Sequence, residues 1–357
     1  MTTRRPRRIF LVGWYGVHNL GDEAIRQAIR IGAPTVGADV IGVASRDPDD
    51  PDPAAVSVAL TGLVGYLRAV VRSDRVVLGG GGIIKDEGLR LPLELFTTAL
   101  VARLLGRDVR LLAVGVGPFY SALGRRLAAA TARLATVRTV RDDDSARQLR
   151  ALGVSRVEVG ADPTFTLPAP LPAELPDARP RVVVSLRPWF LRDPDRMSRQ
   201  TGLREAVAGS LEALVRAGWE VEIVGLYWPQ DHVEGAALAA DPRLAGRATV
   251  VEHALDWDGL VARLRGADLV LAMRYHAVAA AAQAQRPTIA LAYEPKVRAL
   301  AAELAIPSID VDDPAFAGTL GEAVARERAE PGASQPDPDA VTRLRDRAAD
   351  SMRRALG

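Results

Sequence analysis

The chain has 357 residues, of which 48% are hydrophobic and 25% charged, and its formal net charge is +2. These proportions are typical of an ordinary globular protein, and the length is comfortable for two domains. Because the chain has no Cys, disulfides and thiolate metal sites are excluded.

The basic N-terminus is interpreted as a solvated tail, because no basic stripe with interleaved aromatic residues follows it. Its arginines are Arg4, Arg5, Arg7 and Arg8. The apolar run Ile9–Val12 is too short for a signal-peptide core or a membrane span. We therefore expect a cytoplasmic protein that binds no nucleic acid, and peripheral association with the inner face of the membrane stays open.

The first half alternates short apolar runs with helical patterns, which predicts a parallel sheet covered by helices. The predicted strands are Arg8–Gly13, Val40–Ala44, Arg75–Leu78, Val109–Val114, Val137–Val140 and Val157–Gly160. The predicted helices are one that begins near Asp22, then Leu63–Val71, Leu91–Leu105, Ala122–Ala135 and Ala146–Leu152.

The loop after the first strand is rich in glycine and leads into a helix, where free backbone N–H groups favour anions. Its glycines do not have the spacing of the dinucleotide fingerprint. Asp22 is either a functional carboxylate or simply the N-cap of the helix. Glu23 either suits the helix dipole or bonds a sugar hydroxyl.

Four successive glycines, Gly79–Gly82, follow the third strand. Their backbone amides form a cradle for phosphate or a sugar, or they make a tight turn without a ligand. Arg141 ends a later strand and is a candidate anion clamp or a surface cation. The three acids after it, Asp142–Asp144, are interpreted as first-turn helix acids rather than a metal site.

The segment 167–180 contains five prolines and is predicted to be a linker. The second half then restarts the alternation. Its predicted strands are Val182–Leu186, Glu220–Val224, Thr249–Glu252, Leu269–Met273 and Pro287–Ala292. Its predicted helices are Leu203–Ala217, one near Val233–Ala240, Gly259–Arg265, an alanine-rich helix after Arg274, Ala315–Ala329 and Val341–Leu356, with a low-complexity break at Pro331–Asp339.

Charged residues lie at the carboxyl ends of three of these strands. Arg187 follows the first, Arg274 and His276 follow the fourth, and Lys296 follows the fifth. Ligands of open α/β sheets bind outside the carboxyl ends of the strands, so we expect these side chains at one edge. Fixed cations and a titratable imidazole suit a small anion and a proton transfer, although each residue also has a purely structural interpretation.

Eight short motifs give the chain a family resemblance: GWYGVHNLGDEAI, VVLGGGGIIKDE, VGVGP, VRDDDS, GADPTF, SLRPW, MRYHAV and YEPKV. In this order and spacing they resemble the polysaccharide pyruvyl transferases, in particular the branch that acts on bacterial cell-wall polymers. Two departures are Lys85, where a polar residue is common, and Tyr275, where Leu is usual. Neither removes a charged group that the chemistry needs.

The resemblance implies an α/β fold with two Rossmann-like domains that face a central cleft, similar to GT-B glycosyltransferases. We expect an N-terminal domain at 1–166, the linker at 167–180, a C-terminal domain at 181–330, and the break and last helix at 331–357. The resemblance also implies phosphoenolpyruvate as donor and co-substrate, a nucleotide- or lipid-linked sugar as acceptor, a ketal product and released phosphate. It implies no cofactor and no metal.

The resemblance assigns roles to single residues. His276 would be the general acid, and Arg274, Lys296, Arg141 and Arg187 would bind the donor. The acceptor would contact Asn19, Asp22, Glu23, Gly80 and Gly81. Two rivals stay open: a GT-B glycosyltransferase whose nucleotide-sugar donor meets Glu294, and a binding protein without catalysis. The oligomeric state stays open as well.

Overall fold

The computed structural model describes residues 5–168, 179–188 and 199–357. The chain forms two α/β units: Met1–Leu167 with Arg343–Gly357, called the first unit, and Pro168–Thr342, called the second unit. Arg4, Trp189 and the interior of the predicted linker, residues 169–178, lie outside the described residues. No helix in the described part of the chain is long and apolar enough to cross a membrane.

The first unit has a parallel sheet of seven strands in the order β3-β2-β1-β4-β5-β6-β7. The strands are β1 (Arg7–Tyr15), β2 (Ala38–Ser45), β3 (Ala55–Ser57), β4 (Arg75–Gly79), β5 (Asp108–Val114), β6 (Val137–Val140) and β7 (Glu158–Val159). The helices are α1 (Leu20–Gly32), α2 (Leu63–Arg72), α3 (Arg90–Leu104), α4 (Ala122–Leu134) and α5 (Asp143–Ala151). The strand order reverses between β1 and β4, which makes this edge a topological switch point.

Helices cover both faces of this sheet, which explains why its strands are apolar runs rather than alternating patterns. On one face, Ile25 and Ile29 of α1 pack in a fully buried cluster. On the other face, α2 to α5 share a second cluster that includes Val70, Leu95 and Leu149.

The second unit has a parallel sheet of six strands in the order β10-β9-β8-β11-β12-β13. They are β8 (Arg181–Ser185), β9 (Glu220–Ile223), β10 (Ala248–Val250), β11 (Leu269–Ala272), β12 (Thr288–Ala292) and β13 (Ser308–Asp310). The helices are α6 (Gln200–Arg216), α7 (Gln230–Ala239), α8 (Trp257–Arg265), α9 (Tyr275–Gln283), α10 (Pro295–Glu303), α11 (Phe316–Ala329) and α12 (Pro338–Leu356). The order again reverses beside the first strand, between β8 and β11.

The larger part of α12 packs with the first unit, a question that the sequence left open. Two arginines bind the carbonyl groups at its C-terminal end, which have no partner within the helix. Arg75 Nη1 donates to the carbonyl oxygen of Leu356 at 2.6 Å, and Arg110 Nη1 donates to that of Arg354 at 2.5 Å. Arg75 is 1% exposed, and burial together with the nearby Arg110 and Arg7 lowers its pKa to about 10.

Several local predictions need correction. The first helix begins at Leu20 and its N-cap is Asn19, so Asp22 lies in the first turn and is not the cap. Helix α5 begins at Asp143, earlier than predicted, because Asp142 caps it through its Oδ1 and the Ser145 amide at 2.7 Å. The short edge strands β3 and β13 were not predicted. The residues of β3 are only partly buried, and β13 has one buried apolar residue, Ile309, so neither forms a buried apolar run.

Candidate functional site

The carboxyl ends of three neighbouring strands form one edge of the second unit. Strand β11 pairs with β8 on one side and with β12 on the other, all parallel. Arg187 follows β8, Arg274 follows β11, and the segment Tyr293–Lys296 follows β12 and opens α10. The strand order of the sheet therefore brings these residues to one edge, as expected. We call Arg187, Arg274, Tyr293 and Lys296 the cationic edge.

Tyr293 is a buried phenol that three cations influence, and the sequence reasoning gave it no role. Arg187 Nη1 donates to its hydroxyl oxygen at 2.9 Å, and the guanidinium carbon lies 4.7 Å from the ring centroid. Lys296 Nζ lies 5.8 Å from the same centroid. Burial raises the pKa of Tyr293, but Lys296, Arg187 and Arg274 together lower it below its ordinary value. The site therefore stabilises negative charge at this position.

Glu294 balances part of this positive charge. Its carboxylate forms an ion pair with Lys296 Nζ and lies 4.0 Å from Arg187 Nη1. The side chains of Lys296 and Arg187 are 29% and 20% exposed, so both reach solvent. An anionic ligand that arrives at this edge would compete with Glu294 for the same two cations.

Arg274 is held by a carboxylate that the sequence reasoning did not select. Its Nε and Nη2 donate to the two oxygens of Asp231 at 2.9 and 2.5 Å. The Asp231 side chain is fully buried, and its Oδ2 also accepts from the amides of Leu226 and Tyr227. Burial lowers the pKa of Arg274, but Asp231, together with Tyr293 and Glu294, raises it above its ordinary value, so the guanidinium stays charged. This ion pair fixes Arg274 at the N-cap of α9. The third guanidinium nitrogen, Nη1, takes no part in the bonds to Asp231.

His276 lies in the first turn of α9, directly after Arg274. Its ring is partly buried and stands nearly perpendicular to that of Tyr275, with the centroids 5.2 Å apart. Because α9 begins at the carboxyl end of β11, the imidazole belongs to the same edge as the cations. Its role as an acid stays a prediction.

In the first unit, packing alone accounts for two of the four loop glycines. Gly80 and Gly81 have φ of +96° and +60°, in the region that favours glycine. A Cβ on Gly81 would lie 2.3 Å from the Asp22 carboxylate, and one on Gly80 would lie 2.8 Å from the Tyr15 hydroxyl oxygen. Gly82 differs, because a Cβ there would meet open space. The structure therefore gives a packing reason for Gly80 and Gly81 and none for Gly82.

The predicted acceptor residues of α1 order the loop in front of the helix. Asn19 Oδ1 accepts from the Gly21 amide at 3.3 Å, and its Nδ2 donates to Asp22 at 2.7 Å. Glu23 accepts from the Gly16 amide at 2.7 Å and pairs with Arg26 at 3.1 Å. Burial raises the pKa of Glu23 more than these partners lower it. These bonds order the loop between β1 and α1, and Asp22 also lies against Gly81.

Arg141, the fourth predicted donor residue, belongs to the first unit, whereas Arg187, Arg274 and Lys296 belong to the second. It is 6% exposed, and its Nε donates to Asp142 at 3.1 Å. A Cβ on Gly115 would lie 2.5 Å from Arg141 Nη2. The glycine at 115 thus makes room for this guanidinium beside the glycine loop.

Two other features do not extend the site. A cavity of about 610 Å³ is lined by Arg181, Arg263 and Asp256 among others, and Arg181 begins β8, so it lies at the opposite end of the strands. Among the described residues, no group of three His, Asp or Glu side chains is placed to hold a metal ion.

The comparisons with known proteins give a family and a fold. The family model for polysaccharide pyruvyl transferase matches residues 19–295. No curated protein matches the sequence. Among solved structures, the chain is similar to the UDP-GlcNAc 2-epimerase of Neisseria meningitidis bound to UDP-GlcNAc, with 11% identity, a TM-score of 0.64, and coverage of 98% of this chain and 99% of that chain.

Two further structures show the same likeness. The UDP-GlcNAc 2-epimerase of Methanocaldococcus jannaschii has 11% identity and a TM-score of 0.63, with 97% of this chain and 98% of that chain covered. A glycosyltransferase of Rickettsia africae has 11% identity and a TM-score of 0.59, with 99% and 95% covered. At such identities the likeness is one of fold alone: an α/β fold of the GT-B type with two parallel sheets.

Proposed function

The chain belongs to the polysaccharide pyruvyl transferase family, and we propose that it transfers the pyruvyl group of phosphoenolpyruvate to a nucleotide- or lipid-linked sugar. The products would be a pyruvate ketal and phosphate, in the biosynthesis of a cell-wall polymer or exopolysaccharide. The observation that carries this proposal is the cationic edge, where fixed cations lie at the ends of three adjacent strands and His276 lies in the first turn of α9.

Phosphoenolpyruvate carries a carboxylate and a phosphate, and each prefers Arg or Lys over water in a partly buried site. Lys296 and Arg187 would bind these groups by exchanging Glu294 for the ligand. The Tyr293 hydroxyl, which already accepts from Arg187, would donate to a ligand oxygen. Arg274 would contribute the nitrogen that the Asp231 pair does not use.

The reaction needs one proton on carbon and two new carbon–oxygen bonds. His276 would protonate the methylene carbon, which leaves an oxocarbenium-like centre at the carbon that bears the phosphate oxygen. One sugar hydroxyl attacks this centre and loses its proton. The carbon–oxygen bond to phosphate then breaks, and a second hydroxyl attacks and loses its proton. One of the two protons replaces the one that His276 gave, and the other leaves with phosphate.

The acceptor would bind at the first unit. Asn19, Asp22 and Glu23 would supply oxygen atoms that accept bonds from sugar hydroxyls. Of the three, Asp22 lies against Gly81 of the glycine loop. Gly82, which no packing explains, is where a sugar would approach the backbone.

The test is phosphate release from phosphoenolpyruvate with a panel of UDP-linked sugars. We expect release that depends on one acceptor and that falls about 10²- to 10⁴-fold in His276→Ala, the usual contribution of a general acid. Phosphoenolpyruvate binding, measured by calorimetry, should persist in this variant. His253→Ala, which changes an exposed histidine of the second unit, is the matched control.

Sugar transfer from a UDP-sugar without any use of phosphoenolpyruvate would overturn the proposal in favour of a glycosyltransferase. That alternative assigns Glu294 to the ribose of a nucleotide. The present contacts of Glu294 with Lys296 and Arg187 favour the anion-binding interpretation, because they hold its oxygens among cations.

A further inference from the structure

Exposed large apolar side chains are concentrated in one part of the first unit. Among the described residues, ten of the twelve fall between residues 63 and 123, and the other two are Ile31 and Val233. The ten are Leu63, Val64, Leu67, Val71, Leu89, Leu93, Leu104, Leu105, Tyr120 and Leu123. Single exposed apolar residues need no explanation, but a concentration of this kind marks an interaction surface.

These residues lie on or next to three helices that form one layer. Helices α2, α3 and α4 pack their inner sides in a single buried cluster on one face of the seven-stranded sheet. A hydrogen bond of 2.8 Å between the hydroxyl groups of Tyr66 and Thr98 joins α2 to α3. On α2, the exposed residues Leu63, Val64, Leu67 and Val71 follow helical spacing and form one stripe. The outer sides of the three helices therefore lie on one face of the first unit.

The same surface is basic. The three helices carry seven arginines and a single acid, Glu94, whose carboxylate binds Arg46 at 2.7 Å. Six of the arginines are exposed and form no ion pair with any described residue: Arg68, Arg72, Arg90, Arg103, Arg125 and Arg126. The whole chain has a net charge of only +2, so this positive charge is a local concentration.

We propose that the outer surface of α2, α3 and α4 docks onto the face of a membrane that contains anionic lipids. Aliphatic side chains would enter the interface between headgroups and acyl chains, and the arginines would bind lipid phosphates. A second copy of this chain fits less well, because a symmetric contact through this surface would bring arginines against arginines with no free acid between them. The proposal goes beyond the transfer reaction and is tested without it.

The test is co-sedimentation of the full chain with vesicles. We expect binding to phosphatidylcholine vesicles that contain about a third phosphatidylserine, and weak binding to phosphatidylcholine alone. Raising the salt from about 0.1 M to about 0.5 M should release the protein, because it screens the arginines. Val64→Glu with Leu67→Glu should abolish binding, whereas Val233→Glu, an equally exposed apolar site of the second unit, should not.

Arginines are tested by neutralisation. Arg68→Gln with Arg72→Gln should weaken partitioning about 25-fold, since each basic residue near an anionic membrane contributes about fivefold. Arg216→Gln with Arg326→Gln, two exposed arginines of the second unit, should leave it unchanged. Circular dichroism checks that all variants keep their helices, and pyruvyl transfer is not required in any arm.

Three results would overturn the proposal. The first is that the wild-type chain binds neither kind of vesicle. The second is that the α2 variants bind vesicles as well as the control variants do. The third is self-association that Val64→Glu with Leu67→Glu abolishes, without vesicle binding, which would assign the surface to a second copy.

Discussion

The two units have the same architecture but carry different chemistry at the carboxyl ends of their strands. In the second unit, Arg187, Arg274 and Lys296 lie around the buried phenol of Tyr293. In the first unit, the end of β1 and the start of α1 carry Asn19, Asp22 and Glu23 beside a glycine loop. In both units the carboxyl ends of the parallel strands form the candidate ligand site. The side chains at this edge determine whether the site favours an anionic or an uncharged ligand.

The largest effect should follow the loss of the carboxylate that holds Arg274. Asp231→Asn leaves a buried guanidinium without its charge partner, and such a change typically costs about 3–5 kcal/mol of folding free energy. Denaturant unfolding measures this loss. The exposed Asp258 of α8 offers a matched control, and Asp258→Asn should stay within about 0.5 kcal/mol of the wild type. Equal stability of the two variants would show that Asp231 does not hold the edge together.

If the two units bind different substrates, variants of each unit should change the KM of a different substrate. Lys296→Ala should raise KM for phosphoenolpyruvate about 10- to 100-fold, because a hydrogen bond to a charged group contributes about 1.5–3 kcal/mol. The chain has only one other lysine, Lys85, which pairs with Glu87 at 2.9 Å in the first unit. Lys85→Ala should leave this KM unchanged.

Glu23→Gln provides the converse change in the first unit. It should raise KM for the sugar acceptor and leave KM for phosphoenolpyruvate as it is, because the proposal places the acceptor at Glu23 and the donor at the cationic edge of the second unit. If Glu23→Gln and Lys296→Ala altered the KM of the same substrate, the proposed assignment of the acceptor to the first unit and the donor to the second would be wrong.

The smallest effect concerns two neighbouring glycines. Gly81→Ala places a Cβ 2.3 Å from the Asp22 carboxylate at a positive φ, so it should cost about 1–3 kcal/mol of stability. Gly82→Ala meets open space and should change stability by less than about 0.5 kcal/mol. Thermal unfolding compares them. A stable Gly82→Ala variant with a raised acceptor KM would support ligand approach at Gly82, whereas full activity would argue against it.

The sequence predicted the fold because its strands are buried on both faces and therefore appear as apolar runs. The same logic selected Arg187, Arg274, His276 and Lys296, since each lies shortly after such a run, and their roles stay predictions. It did not find Asp231, because the contact joins residues 43 positions apart and no local pattern marks it.

The contacts of Tyr293 and Asn19 were also not evident from the sequence. Tyr293 was visible in the YEPK motif, but its charged surroundings arise only when β8 and β12 flank β11. Asn19 was assigned to the acceptor, yet its side-chain oxygen Oδ1 caps α1. Cap preference alone did not distinguish Asn19 from Asp22, because both residue types favour the N-cap.

The most direct test of pyruvyl transfer is the reaction run in D₂O with phosphoenolpyruvate and a sugar acceptor, followed by NMR of the product. Protonation of the methylene carbon by the enzyme predicts one deuterium in the methyl group of a sugar-bound ketal, formed in step with phosphate. A product that carries a sugar from a UDP-sugar, with phosphoenolpyruvate left intact and no deuterium on carbon, would contradict the account.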